Sequence, residues 1–491
     1  MRIVIGYPPV RTERGMARLA QNRQFFWSKV PSSVYPVVPA CAATLLKQAG
    51  HEVAWLDGIA QNWTLEKWEE ELQKFSPEIL MIETKAPVIK HHWEIINKLN
   101  PPNGRIKLKI VLVGDHVTAL PKESLENCRV DYILTGGNYD FLLLNLVNHL
   151  TKKEKLEPGI WSRTAKGFRS TGQFSLNQNL NLMPFINRDL TKWQLYGYNN
   201  GNFKYLPGTY IMAGRDCWWR REGGCSFCSW TILYPKFATR TVDNVLDEIG
   251  ILIEKSGVRE IFDDTGTFPV GSWLKEFCEK LIARGYHKKV VMGCNMRFGV
   301  LKKEDYKLLA KTNFRFILYG VESANQKTVD RLTKGITIDK IEEELKILKA
   351  ANKEAGGQLE PHITCMIGYP WESKADAQKT VNLTKDFFKK DLISTLQATI
   401  VIPYPGTKLY KECEKNDWLL TKDWNKYDMS EPVMKTSVPA KDLKSLVSSI
   451  YSSRLTPGFV IKKLISVRTV DDLNFYFRGG LAALGHAFDF K

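Results

Sequence analysis

Short apolar runs recur along the first 150 residues, and a stretch of helical period usually follows each one. Arg2–Ile5, Glu52–Leu56, Ile79–Ile82, Ile110–Val113 and Tyr132–Leu134 read as strands. Ala40–Ala49 reads as a helix that Gly50 stops. Strands separated by helices predict a doubly wound parallel sheet covered on both faces. Residues 151–205 lose this rhythm. They are polar, with Asn177 to Asn181 and Gly197 to Gly201 the richest parts, and read as a connecting segment. Alternation resumes at Thr209–Ala213 and continues through Glu260–Asp263, Val290–Gly293, Arg315–Tyr319, His362–Ile367 and Leu396–Val401. Val242–Lys255, Gly271–Ala283 and Lys340–Ala350 read as helices between them. Six strand–helix units over 206–415 predict an α/β partial barrel of parallel strands. Residues 416–491 read as a helical C-terminal region. It includes a helix at Lys441–Ser453 and a basic, partly amphipathic run from Phe459.

The chain has 491 residues, 44% hydrophobic and 25% charged, too many for one core and too apolar for wholesale disorder. No apolar run reaches the roughly 18 residues of a membrane-spanning helix. The N-terminus enters a strand without the features of a signal peptide, so a cytoplasmic location is expected. The net charge of +17 favours anionic partners or serves solubility alone, and no nucleic-acid-binding module is recognisable. The strand ends of the first sheet carry turn and polar residues: Tyr7-Pro8-Pro9, Asp57-Gly58, Glu83-Thr84, Gly114-Asp115-His116 and Gly136-Gly137-Asn138. Such ends bind ligands in doubly wound sheets. The absence of GxGxxG speaks against an ordinary nicotinamide site.

Nine cysteines are scattered except for Cys217, Cys225 and Cys228, which fall just after the first barrel strand. A structural zinc site wants four ligands, and no histidine is near. Three thiolates suit a [4Fe–4S] cluster whose fourth iron stays open for a substrate or cofactor. Zinc and plain packing are the other readings of the three residues.

With Phe227 just before the last cysteine, the segment resembles the cluster loop of radical S-adenosylmethionine (SAM) enzymes, though its spacing of seven then two is longer than their usual three then two. The later strand ends extend the resemblance in the right order. Phe262-Asp263-Asp264 and Cys294-Asn295-Met296-Arg297 fit the second and third strands. Tyr319-Gly320-Val321-Glu322-Ser323, Met366 to Glu372 around Gly368, and Ile402-Pro403-Tyr404 fit the fourth, fifth and sixth. The resemblance implies SAM contacts at Phe227, Asp264, Arg297, Glu322, Ser323, Gly368 and Pro403, and cluster ligation by Cys217, Cys225 and Cys228.

Residues 1–150 resemble the cobalamin-binding domain that precedes the barrel in one radical SAM subfamily. The matching pieces are Tyr35-Pro36-Val37-Val38-Pro39, Gly50-His51-Glu52-Val53, Glu83 to Pro87, Gly114 to Thr118 and Gly136-Gly137. Tyr427 to Lys435 matches the subfamily's tail. This implies corrinoid contacts at Pro8, Glu83, Thr84, Asp115, His116, Gly136 and Gly137. It also implies base-off cobalamin, because Asp-x-His-x-x-Gly is missing. His116 reads equally as a turn residue or a corrin contact.

The implied function is methyl transfer to an unactivated carbon of a small-molecule, lipid or peptide substrate. Flavodoxin or ferredoxin would be the low-potential electron donor. A cyclase or rearrangement enzyme, and a non-catalytic cobalamin- or metal-binding sensor, are the other readings. No acid–base pair is nominated. Trp218-Trp219 either pack on SAM or substrate or wedge the longer loop, and Arg220 and Arg221 could clamp an anion. The run Phe459 to Ile465 reads as a packing helix or a peripheral membrane contact.

Overall fold

The computed structural model describes residues 1–19, 25–29, 32–101, 108–175, 178–452 and 467–478. Five runs of Val, Ile and Leu, buried on both faces, form a parallel sheet: Arg2–Tyr7, Glu52–Asp57, Ile79–Glu83, Lys109–Val113 and Tyr132–Leu134. In space the first strand lies between the second and third, so the order reverses between Arg2–Tyr7 and Ile79–Glu83. Ligands bind at that crevice in doubly wound folds.

The segment read as a connector does more than connect. Ile160–Thr164 and Gly167–Ser170 form a hairpin that extends the same sheet antiparallel to Tyr132–Leu134. Its side chains are mostly solvated, so no alternation marked it. A three-stranded meander, Arg11–Thr12, Gly15–Leu19 and Phe25–Ser28, was also unforeseen. It holds the later tail: Arg14 pairs with Asp428, and Trp27 Nε1 donates to Asp428 Oδ2 at 3.0 Å.

The second sheet has six parallel strands in sequence order: Gly208–Ile211, Glu260–Asp263, Val291–Met296, Phe314–Glu322, Glu360–Ile367 and Thr395–Ile400. The predicted six-unit partial barrel is therefore present. The C-terminal region is less helical than expected. Residues 416–439 run mostly without regular structure past one bridge, Leu419 to Met434, before the helix Ala440–Ser452. The run from Phe459 to Ile465 lies outside the described residues. Residues 467–478 return to the N-terminal ends of the barrel strands, where Asp472 meets Lys204 at 2.5 Å and Arg478 donates to the carbonyls of Asn200 and Phe203. Among the described residues no helix is long and apolar enough to cross a membrane.

The two sheets meet at their carboxyl ends. Arg215, just after the first barrel strand, is buried and pairs with buried Asp140 at 2.8 Å. The Gly137 N–H donates to the Leu233 carbonyl at 2.9 Å. Trp424 Nε1 donates to Glu123 Oε1 at 2.7 Å.

Candidate functional site

Cys217 ends the stretch that follows the first barrel strand, and its neighbour Asp216 sits at φ 73°. The seven residues that follow are compact: Trp218–Glu222 make one short 3-10 turn. Gly223 and Gly224, both at positive φ, then turn the chain back to Cys225. All three cysteines are partly exposed, whereas Cys41, Cys128, Cys278, Cys294, Cys365 and Cys413 are buried. Cys217 Sγ lies 2.9 Å from Thr267 Oγ1. Burial pushes the Cys225 thiol up, while the cations Lys334 and Arg297 pull it the other way.

Those cations belong to a bonded group. Arg297 Nη1 is 3.9 Å from Cys225 Sγ, and Nη2 donates to the Lys334 carbonyl. Lys334 Nζ holds Glu322 Oε1 at 2.6 Å and lies 5.9 Å from the centre of the Phe227 ring. Glu322 itself sits at φ 68°, beside a bulge in the fourth strand. A non-glycine residue keeps that conformation only when its surroundings impose it, and such strain concentrates at working sites. Ser323 Oγ donates to Glu372 Oε1 at 2.6 Å, tying the fourth strand end to the fifth. The structure thus brings Phe227, Arg297 and Glu322 to Cys225. Asp264 is half-buried after the second strand, Gly368 is at φ 96° after the fifth, and Pro403 is buried after the sixth. Arg220 does not reach out to an anion: it is held by Asp216 at 2.8 Å.

The strand ends of the first sheet differ. Tyr7 donates to Glu83 Oε2 at 2.5 Å across the switch point, and Tyr139 to Glu83 Oε1 at 3.4 Å. Burial raises the Glu83 carboxyl above its usual range. Thr84 Oγ1 bonds His92 Nδ1 at 2.9 Å, and buried Lys85 faces Asp115 at 3.6 Å. Pro8 is buried. His116 Nε2 bonds Glu123 at 2.9 Å, and its ring stands edge-on to Trp424 at 5.0 Å. The two glycines at this edge each lie against an aromatic ring. A Cβ on Gly136 would meet the Phe174 ring at 2.6 Å, and one on Gly137 the Tyr234 ring at 2.1 Å. Tyr139, Phe174, Tyr234, Glu123 and Trp424 were not singled out in the sequence. Apart from Glu123, seven residues from His116, they lie far along the chain from their partners, and no local pattern marks them.

The barrel residues 213–384 match the model of the Radical SAM superfamily. That stretch is a radical SAM domain. Over 471 residues it is 25% identical to an uncharacterized methyltransferase of Pyrococcus horikoshii, spanning 94% of this chain and 95% of that one. It is also 26% identical to the anaerobic magnesium-protoporphyrin IX monomethyl ester cyclase of Cereibacter sphaeroides, over 89% of this chain and 67% of the relative. Its fold matches that of the cobalamin-dependent SAM radical enzyme OxsB, with a TM-score of 0.68 at 14% identity, over 99% of this chain and 71% of that one. The radical SAM methyltransferase TsrM of Kitasatospora setae aligns with a TM-score of 0.62 at 15% identity, over 84% of this chain and 75% of its own. The chain therefore shares the two-domain fold of these cobalamin-dependent enzymes.

The residues present fit a cluster. Three thiols share one loop, beside two buried cations. Arg297 Nε and Trp218 Nε1 are buried donors without a protein partner. An orphaned donor is costly to bury, so its usual explanation is a group that completes it. An anionic cluster with bound ligand is such a group. Among the described residues no three His, Cys, Asp or Glu side chains converge as the ligands of one ion would. Cubane thiolates need not converge, since each binds its own iron.

Proposed function

We propose that this radical SAM protein is a cobalamin-dependent methyltransferase acting on an unactivated carbon. The observation that carries the reading is Cys225, one of three thiols on a single loop, set beside Arg297 with its Nε unsatisfied. In this reading Cys217, Cys225 and Cys228 hold a [4Fe–4S] cluster. Phe227, Asp264, Arg297, Glu322, Ser323, Gly368 and Pro403 line the SAM side, within a unit spanning 206–415. Residues 1–150 hold cobalamin along the edge bearing Pro8, Glu83, Thr84, Asp115, His116, Gly136 and Gly137. The cluster and SAM supply a deoxyadenosyl radical, and cobalamin a transferable methyl group.

The chain's own contribution is placement and exclusion. Lys334 neutralises Glu322 beside Phe227 of the cysteine loop. The Arg215–Asp140 pair and the Gly137–Tyr234 contact draw the two sheets' carboxyl ends together, which keeps water from the reacting centre. Cytoplasmic location and reduction by a flavodoxin or ferredoxin belong to the same proposal. So does a small-molecule, lipid or peptide substrate.

The likeness to the Cereibacter cyclase favours a second reading, radical cyclisation. Anaerobically reconstituted protein is to be analysed for iron, sulfide and corrinoid, then turned over with methyl-deuterated SAM in a substrate-containing extract. Methyl transfer gives labelled product, with deoxyadenosine and S-adenosylhomocysteine formed together. Unlabelled product with continuing deoxyadenosine formation moves the assignment to cyclisation, and zinc in place of iron ends both readings.

A further inference from the structure

We infer that the insert between Cys217 and Cys225 is a clamp that fixes Arg297 as a cationic donor at Cys225, so that Trp219 is a positioning residue for the redox poise of the cluster. The inference rests on the reading that Cys225 holds a cluster. It concerns the seven-residue spacing between Cys217 and Cys225.

The clamp is built from six contacts. Trp219 Nε1 donates to the Thr333 carbonyl at 2.7 Å, which ties the insert to the loop after the fourth strand. The Trp219 ring fills the space over Gly335, where a Cβ would stand 2.2 Å from it. The same ring lies 4.1 Å from the Arg297 guanidinium carbon, and the Trp218 ring 5.6 Å from it. Trp218 in turn stands edge-on to Trp219, their planes 85° apart. On its other side Arg297 donates Nη2 to the Lys334 carbonyl. A planar cation held by ring and carbonyl has few orientations left. The one it keeps puts Nη1 3.9 Å from Cys225 Sγ and leaves Nε free.

Arg297 is only 4% exposed, so its charge is poorly screened by water. Reduction adds one electron to the cluster and breaks no bond. A guanidinium is a permanent cation, so its charge is the same in both states of the cluster. A fixed cation beside a ligating sulfur stabilises the more negative, reduced state and raises the potential. Lysine cannot replace this arrangement, since an ammonium has no planar face for the ring to hold.

The test is a redox titration of the reconstituted full chain, followed by the reduced-cluster EPR signal, for wild type, Trp219→Phe, Trp219→Ala and Arg297→Lys. Iron and sulfide per chain are measured on the same samples. Trp219→Ala and Arg297→Lys are expected to keep their iron and move the midpoint to more negative potential. The reduced-to-oxidised ratio at fixed poise falls about tenfold, which is about 59 mV for one electron. Trp219→Phe keeps a ring but loses the bond to Thr333, and is expected to move the midpoint less, in the same direction. Variants with full iron and an unmoved midpoint overturn the inference. So does loss of iron from all three variants while wild type keeps it, since the insert would then serve assembly. Wild type without iron is a different failure, that of the cluster reading itself.

Discussion

The two strand-end edges of this molecule face each other, yet they treat their polar groups in opposite ways. Along the first sheet, most residues expected to meet a ligand are already spent on protein. Glu83 is bonded by two tyrosines, Gly137 is covered by Tyr234, and His116 keeps only Nδ1 unpartnered. Along the barrel, three thiols are partly exposed and two donors beside them are orphaned. Because buried polar groups are nearly always paired, unpaired ones report where a missing group belongs. By that measure Arg297 and Trp218 mark the barrel edge more strongly than His116 marks the first, where Gly136 packs on Phe174 and Gly137 on Tyr234 of the other half.

The sharpest break in this comparison comes at the thiols. Cys217→Ala, Cys225→Ala and Cys228→Ala should each remove most of the iron and all SAM cleavage. Cys278→Ala, Cys294→Ala and Cys413→Ala should keep both. Iron analysis and deoxyadenosine assay check this, and full iron in Cys217→Ala would show that the long spacing has a different third ligand.

The interface is expected to be costly to disturb. Arg215→Met leaves Asp140 buried and unpaired, a loss of about 3–5 kcal/mol, as found for one-sided removal of buried ion pairs. The double variant Arg215→Met with Asp140→Leu should recover most of it. Urea unfolding of all three measures the difference; additive single losses would show that the pair is not the element joining the halves.

Gly137 separates the two meanings of the first edge. Gly137→Ala drives a methyl into the Tyr234 ring and should cost about 1–3 kcal/mol, the range for overpacking. Adding Tyr234→Leu should relieve that cost. A variant of unchanged stability that fails to retain corrinoid would instead make this glycine a ligand contact and undo the contrast.

The smallest effects are in pH, and they carry opposite signs in the two halves. Burial lowers the His92 imidazole to about 3, so the folded chain holds it neutral. Below an unfolded value of about 6.5 the unfolded chain binds more protons. The stability that His92 brings is thus complete above 6.5 and lost as pH falls toward 3. Burial raises the Asp263 carboxyl to about 7. Its contribution is complete below an unfolded value of about 3.9 and is lost as pH rises through 7. His92→Gln should flatten the acid slope, and Asp263→Asn the opposing one, each by at most about 1.4 kcal/mol per pH unit. Unfolding free energies measured from pH 4 to 7 check both signs.

Much of this was legible in the sequence. The five strands of the first sheet and the first four of the second are short, largely buried apolar runs, the last two of the second alternate buried and half-buried positions, and periodicity reports burial directly. The cysteine loop was legible because its three thiols lie within one local stretch. The hairpin at 160–170 was not, because solvated side chains on an edge hairpin carry no alternation. The half-exposed tail at 416–439 was misread as helix because it lacked strand signals. What only the tertiary structure decided is who meets whom. Tyr7 and Glu83 are 76 residues apart, Asp140 and Arg215 75, and Glu123 and Trp424 301. Whether Gly137 faces a ligand or a tyrosine, and whether Trp219 packs on a substrate or clamps Arg297, depends on such long-range pairing. The sequence by itself determined the sheet strands and the grouping of three thiols on one loop, since both follow from local pattern and residue type. Partner choice belonged to the fold, because it depends on how distant surfaces pack, which no local period encodes.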